Sequence, residues 1–158
     1  MTRDDLAREV LALARAKGWM IATAESCTGG LVAAALTEIP GSSDVFDRGF
    51  LTYSYPAKEA MLGVEHQTLH DNGAVSEPVA RQMAEGARAR SDAQLTVAIT
   101  GVAGPGGSEA KPEGLVHFAT ATSGATVHRE VRFGALGRAT VRQESVRTAL
   151  EMLREALG

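Results

Sequence analysis

Residues 19–38 read WMIATAESCTGGLVAAALTE, and a change of character inside this stretch decides the fold. Trp19 to Ala24 has the length and apolar content of a short buried strand, whereas Gly29 to Glu38, rich in Ala and Leu, reads as a helix. Ser26 therefore lies between the C-terminal end of a strand and the N-terminal end of a helix. Ahead of this stretch, Leu6, Val10, Leu13 and Ala14 recur at helical spacing behind Thr2. Asp5 completes a short-armed capping box there, and Lys17-Gly18 closes the segment.

Further along, the alternation repeats. Pro40-Gly41-Ser42-Ser43 is a loop, Gly49 to Ser54 a strand, and Pro56 to Leu62 a short helix with proline at its start, where the missing N–H costs nothing. Ser76-Glu77-Pro78 opens another helix, with Val79, Met83 and Ala87 on one face. It leads to the continuous apolar strand Leu95 to Thr100 and the loop Gly101-Val102-Ala103-Gly104-Pro105-Gly106-Gly107. Leu115 to Thr122 and Ala125 to Phe133 predict an antiparallel hairpin about Ser123-Gly124. Val141 or Val146, with Ala149, Leu150, Leu153 and Leu157, marks a long closing helix. Helices interleaved with mostly buried strands, then a hairpin, predict an α/β fold: a single three-layer α/β/α domain over residues 1–158 around a mixed, mostly parallel sheet. In such sheets ligands gather beyond the carboxyl ends of the strands, where both Ser26 and the Gly101 loop fall.

Composition narrows the function. At 158 residues, 44% hydrophobic and 22% charged, the chain reads as one soluble globular domain that needs neither disulfide nor metal for stability. A net charge of −3 with both signs scattered, and only four Phe, two Tyr and one Trp, argue against a nucleic-acid partner. A small anionic ligand remains compatible. The lone Cys27 cannot form an internal disulfide, and Met1-Thr2-Arg3-Asp4-Asp5 lacks the layout of a signal peptide. No apolar run approaches the length of about 18 residues that suggests a membrane span, so a cytoplasmic protein is expected.

Two readings of Ser26 stand side by side. A serine ahead of a helix can simply cap it. Thr28 could cap equally well, however, and Gly29-Gly30 is poor chemistry for a first helical turn unless a ligand or oxyanion must approach the backbone N–H groups. Cys27 competes as nucleophile, since a helix N-terminus favours a thiolate, though a lone cysteine is more often a small buried apolar residue.

A serine nucleophile needs a base. His66, His70, His117 and His128 show no carboxylate-and-serine context. Of the sixteen basic residues only Lys17, Lys58 and Lys111 are lysines. Lys17 suits a helix C-terminus and Lys111 a polar run, but Lys58 lies among Ala57, Ala60, Met61 and Leu62, where burial would favour a neutral amine. Tyr53 and Tyr55, on one face if the segment is extended, are candidates to orient it.

The remaining candidates concern binding. The Gly101 loop has the glycine spacing of a P-loop but carries Gly107 where lysine must stand, which leaves a loop rich in backbone donors for phosphate or an oxyanion. His66 and His70 lack the company of a zinc site, so no metal is expected. Arg138 and Arg142, one turn apart, could clamp a phosphate or solvate a helix face.

Taken together, Thr23-Ala24-Glu25-Ser26-Cys27-Thr28-Gly29-Gly30, Gly49-Phe50-Leu51-Thr52-Tyr53-Ser54, Gly73-Ala74-Val75-Ser76 and Thr100-Gly101-Val102-Ala103-Gly104-Pro105 closely resemble the CinA carboxy-terminal domain family, the nicotinamide-mononucleotide deamidases, over nearly the whole chain. The resemblance implies hydrolysis of the carboxamide of nicotinamide mononucleotide to nicotinic acid mononucleotide and ammonia, in pyridine-nucleotide recycling, by a serine–lysine mechanism without metal or cofactor. By motif it places the serine at Ser26, the lysine at Lys58 and the assisting tyrosine at Tyr53. Thr28, Gly29, Gly30, Thr100, Gly101, Gly104 and Arg142 fall among the groups expected to hold substrate or oxyanion. Tyr55 and Pro56 stand where family members commonly have Asn and Glu, and Tyr55 adds a second candidate phenol. A stand-alone form and a homo-oligomer are expected. The alternatives are an amidase using Cys27 and a nucleotide-binding sensor without catalysis.

Overall fold

The computed structural model describes residues 1–108 and 110–158. The capping box forms as read: the Thr2 hydroxyl accepts from the Asp5 N–H at 3.1 Å, and the Asp5 carboxylate accepts from the Thr2 N–H at 3.0 Å. It starts helix α1 (Arg3–Lys17), which Gly18 ends in a left-handed conformation. Strand β1 (Ile21–Glu25) is wholly buried and leads through the Ser26 turn into α2 (Leu31–Thr37). The chain continues through β2 (Phe46–Leu51), α3 (Tyr55–Leu62), α4 (His66–Asn72), α5 (Glu77–Ala89), β3 (Leu95–Gly101), β4 (Leu115–Ala121), β5 (Thr126–Arg132) and α6 (Arg138–Leu157).

The five strands form one sheet in the order β2-β1-β3-β4-β5. β1 pairs parallel with both β2 and β3, and β4 pairs antiparallel with β3 and with β5. All strands but β4 therefore point the same way, which makes the sheet mixed and mostly parallel. Helices α1, α2 and α6 cover one face and α5, with α3 and α4, the other, giving the expected three-layer α/β/α architecture.

The two faces are built differently. Ile21, Val97, Ile99, Val116 and Phe118 project towards α1, α2 and α6, where Leu6, Val10, Leu36, Leu150 and Leu153 meet them. Ala24, Ala98, Ala119 and Ala121 project the other way, against Val79, Ala80, Met83 and Ala87 of α5. Small side chains on both partners let α5 lie close to the sheet.

Several element boundaries differ from the sequence reading, and two of the differences shape the site. β2 covers Phe46–Leu51 rather than Gly49 to Ser54, because its parallel register with β1 runs from Ile21↔Phe46 to Glu25↔Leu51. Beyond it the chain turns, and Ser54 becomes the N-cap of α3, accepting from the Ala57 N–H at 3.2 Å. Helix α2 begins at Leu31 rather than Gly29, since Gly29 and Gly30 both adopt left-handed φ angles, 57° and 100°. Among the described residues no helix is long and apolar enough to cross a membrane.

The packing of α5 against α3 yields a test. A methyl group added at Gly86 would lie 1.9 Å from the Leu62 carbonyl oxygen, so the glycine marks a backbone-to-backbone approach. In a free helix Gly→Ala gains about 1 kcal/mol. Here we expect Gly86→Ala to destabilise by about 1–3 kcal/mol, as overpacking does. Urea denaturation of the two proteins measures the sign.

Candidate active site

The site begins with a lysine that has been taken out of water. Lys58 occupies the first turn of α3 and is 1% exposed. Its Nζ donates to Ser26 Oγ at 3.0 Å and to the Thr52 carbonyl at 2.7 Å. That carbonyl is available because the chain leaves β2 just before it, while the Thr52 N–H still donates to the Glu25 carbonyl at 2.9 Å. Ser26 is 8% exposed, and its own N–H donates to the Ile99 carbonyl of β3 at 3.0 Å. Residues remote in sequence, Ser26 and Lys58, are thus brought into direct hydrogen-bond contact at the carboxyl ends of β1 and β2.

Both face a cavity of about 300 Å³. The loop after β3 forms much of its wall, and Cys27, Tyr53, Tyr55, Ala74, Val75 and Arg138 also line it. The loop is held in shape from several sides. The Val102 N–H donates to the Leu115 carbonyl at 2.9 Å, the Gly106 N–H to the Glu113 carboxylate at 2.6 Å, and Lys111 Nζ to the Val75 carbonyl at 3.0 Å. Gly104 adopts φ 97°, and a Cβ there would strike the Glu113 side chain at 2.6 Å. Thr100 is buried beneath the loop, with its hydroxyl donating to the Ala74 carbonyl at 2.9 Å.

Several expected roles meet a different geometry. Tyr53 is 61% exposed, and its hydroxyl accepts from the Arg138 guanidinium at 2.7 Å rather than meeting the Lys58 amine. The two tyrosines do not share a strand face, because β2 has already ended and Tyr55 is the first residue of α3. Tyr55 lines the cavity, where its hydroxyl accepts from the Ala74 N–H at 3.0 Å.

Nor does Thr28 cap α2. Its hydroxyl donates to Glu25 Oε1 at 2.7 Å, and the same carboxylate accepts the N–H groups of Gly30, Val32 and Ala33 at 3.2, 2.9 and 2.9 Å. The Gly29 N–H donates to the Ser26 carbonyl at 3.0 Å. The amides of Gly29 and Gly30, expected to await an oxyanion, are therefore committed inside the chain. Arg142 is likewise engaged: its guanidinium donates to the carbonyls of Cys27 at 3.1 Å and Thr28 at 3.4 Å. Gly29 leaves it room, since a Cβ there would approach Arg142 to 3.0 Å. Arg138 instead reaches the cavity mouth, donating to the Gly104 carbonyl at 2.7 Å as well as to Tyr53.

A family model described as CinA C-terminal domain matches residues 3–157. The chain belongs to the CinA C-terminal domain family. Its sequence is 47% identical over 156 residues to a CinA-like protein of Prochlorococcus marinus, covering 98% of this chain and 36% of that protein. It is 46% identical over 142 residues to a putative competence-damage inducible protein of Caldicellulosiruptor saccharolyticus, covering 89% of this chain and 34% of the relative. The chain thus spans about a third of the length of these curated relatives. Among solved structures, the competence/damage inducible protein CihA of Agrobacterium tumefaciens superposes with a TM-score of 0.94 at 55% identity, with 98% of this chain and 94% of that one covered. The competence damage-inducible protein A (ComA) of Klebsiella pneumoniae superposes with a TM-score of 0.96 at 39% identity, with 99% and 98% covered.

Within this CinA C-terminal domain, Cys27 is the competing nucleophile. It is 4% exposed and packs with the core under α1, α2 and α6. Burial pushes its thiol up to about 12, only partly opposed by its own backbone N–H. The folded state therefore holds the sulfur protonated at neutral pH, and a thiol is a poor nucleophile beside its thiolate. Iodoacetamide at pH 7.5 should alkylate the native protein at least about tenfold more slowly than the urea-unfolded chain, whose thiol returns to the ordinary range. Peptide mass spectrometry follows both rates, and equal rates would show an accessible, activated thiol.

Proposed function

We propose that this CinA C-terminal domain is a serine–lysine amidohydrolase that converts nicotinamide mononucleotide to nicotinic acid mononucleotide and ammonia. The observation that carries the reading is the 3.0 Å contact between Lys58 Nζ and Ser26 Oγ, with both groups bordering one cavity. An amine in such surroundings is a base when neutral, and burial favours the neutral form. Arginine could not serve, since it does not give up its proton at working pH.

In the first half-reaction Ser26 Oγ attacks the carboxamide carbon as Lys58 takes the hydroxyl proton. The tetrahedral intermediate collapses by breaking the C–N bond, and Lys58 returns the proton to the departing nitrogen, which leaves as ammonia. Water then attacks the acyl-serine, gives its proton to Lys58, and the acid is released as Ser26 is reprotonated. All the proton traffic passes through one amine, so the reaction needs no cofactor. With the Gly29 and Gly30 amides committed elsewhere, the oxyanion donors are assigned to the loop that walls the cavity, at Ala103 and Gly104. The phosphate end is assigned to Arg138 at the cavity mouth, since Arg142 is turned onto the Cys27 and Thr28 carbonyls.

Ammonia release from nicotinamide mononucleotide tests the reading directly. We expect Ser26→Ala and Lys58→Met each to lower kcat by about a thousandfold or more, as loss of a nucleophile or its base does. Lys58→Arg should not rescue, and Cys27→Ala should retain turnover. A protein that binds the nucleotide but releases no ammonia would be the sensor instead. Arg138→Ala should raise KM about tenfold with kcat little changed, the pattern of a binding group remote from the reacting bond.

A further inference from the structure

The strand that delivers Ser26 ends in an acid that the reaction just proposed does not use. Glu25 is the last residue of β1, 1% exposed, with its side chain turned away from the cavity towards α2. Its Oε1 accepts from the Thr28 hydroxyl and from the N–H groups of Gly30 and Val32, while Oε2 accepts from the Ala33 N–H. A buried carboxylate is costly unless such donors satisfy it, and a helix N-terminus is the setting that favours its charge. Mere capping would not require it. A Ser, Thr or Asp at the N-cap serves most helices, yet that position here is Gly30, with no side chain, and Thr28 spends its hydroxyl on Glu25.

What this arrangement does that a local cap cannot is close a ring around the nucleophile. The residue before Ser26 is bonded through its side chain to the turn and helix that follow it, so residues 26–29 are held at both ends. Arg142 holds the same turn from its carbonyl side. The main chain of Glu25 fixes the other partner: its carbonyl accepts the Thr52 N–H, and the Thr52 carbonyl accepts Lys58 Nζ. Nucleophile and base are thus both referred to one residue.

We propose that Glu25 is the positioning residue of this site, its buried carboxylate setting the Ser26 hydroxyl against the Lys58 amine. This inference rests on Ser26 being the nucleophile. Glu25 touches no reacting atom, so its removal should change the reactivity of Ser26 rather than the binding of substrate.

A fluorophosphonate probe separates positioning from folding. The Ser26 Oγ–P bond forms, the P–F bond breaks with loss of fluoride, and the serine proton passes to Lys58. Intact-mass spectrometry reads both the rate of modification and the fraction finally modified. For the folded full chain we expect Glu25→Gln, which keeps an oxygen for the Oε1 donors but loses the acceptor for Ala33, to react about tenfold more slowly, and Glu25→Ala about a hundredfold, as small misplacements of reacting groups do. Both should still reach complete modification, with KM for nicotinamide mononucleotide within about twofold of the parent and kcat falling in step with the rate of modification. Variants that modify at the parent rate but stop at a lower fraction would make Glu25 a folding residue only and overturn the proposal. Should Glu25→Ala not fold, Glu25→Gln and Thr28→Val, which removes one of the four donors, carry the same comparison. A parent protein that takes no phosphonate at Ser26, with Ser26→Ala behaving identically, would instead sink the serine reading and this inference with it.

Discussion

Burying the amine of a lysine is expensive unless oxygen acceptors are brought to it, and much of the local architecture around α3 serves that end. Lys58 is among the largest fully buried side chains of the described residues. One acceptor, the Thr52 carbonyl, exists because β2 stops at Leu51 and the chain turns before Ser54 caps α3. Another, Ser26 Oγ, is placed by β1 in the interior of the sheet, between β2 and β3. A register slip by one residue in the β1–β2 ladder would reverse the face presented by each residue of β2 and withdraw one acceptor. Topology and chemistry are therefore coupled: adjacent parallel strands bring their carboxyl ends together, and each end supplies one oxygen to the same nitrogen.

The asymmetry of the two sheet faces fits this arrangement. The face towards α1, α2 and α6 carries large side chains and supplies most of the apolar core. The alanine-rich face lets α5 approach, and Gly86 lets the end of α3 sit against α5 with almost no gap. A helix carrying a buried lysine must be rigidly seated if its first turn is to aim the amine, and close backbone contact provides that seat.

The fold was legible wherever a local rule coincided with the tertiary outcome. The capping box of α1, the continuous apolar β3 and the hairpin of β4 with β5 each announce themselves over a few residues. The placement of Ser26 at a strand-to-helix junction and the apolar setting of Lys58 were legible for the same reason. β2 lies earlier than its pattern predicts because an edge strand half open to solvent needs no apolar alternation, so Phe46-Asp47-Arg48-Gly49 gives no period to find. Tyr53 and Tyr55 share a face only if the segment is extended, and the turn at Thr52 separates them, so that Tyr53 meets Arg138 and Tyr55 the Ala74 N–H. Glu25 gives little sign of its role although it stands beside Ser26. An acid closing the otherwise apolar run Ile21-Ala22-Thr23-Ala24 was the available signal, but its four partners come from the following turn and helix and cannot be counted from the strand. Arg138 and Arg142 look equivalent on a helical wheel, and only the packing of α6 against the Ser26 turn sends one to the carbonyls and the other to the cavity mouth.

The position of β1 between β2 and β3 has a consequence for how the protein fails. Strands at the centre of a sheet are drawn from the part of a domain that opens only on global unfolding, whereas loops and rims open earlier. The Ser26 side of the contact with Lys58 hangs from that interior strand, whereas the Lys58 side is held by the turn that follows edge strand β2. The loop walling the cavity lies outside the sheet, fastened by scattered hydrogen bonds rather than by a strand ladder, and belongs to the earlier-opening class. Partial unfolding would therefore open the cavity wall first, and with it the Ala103 and Gly104 amides proposed to hold the oxyanion, while Ser26 still stands at the end of a folded strand.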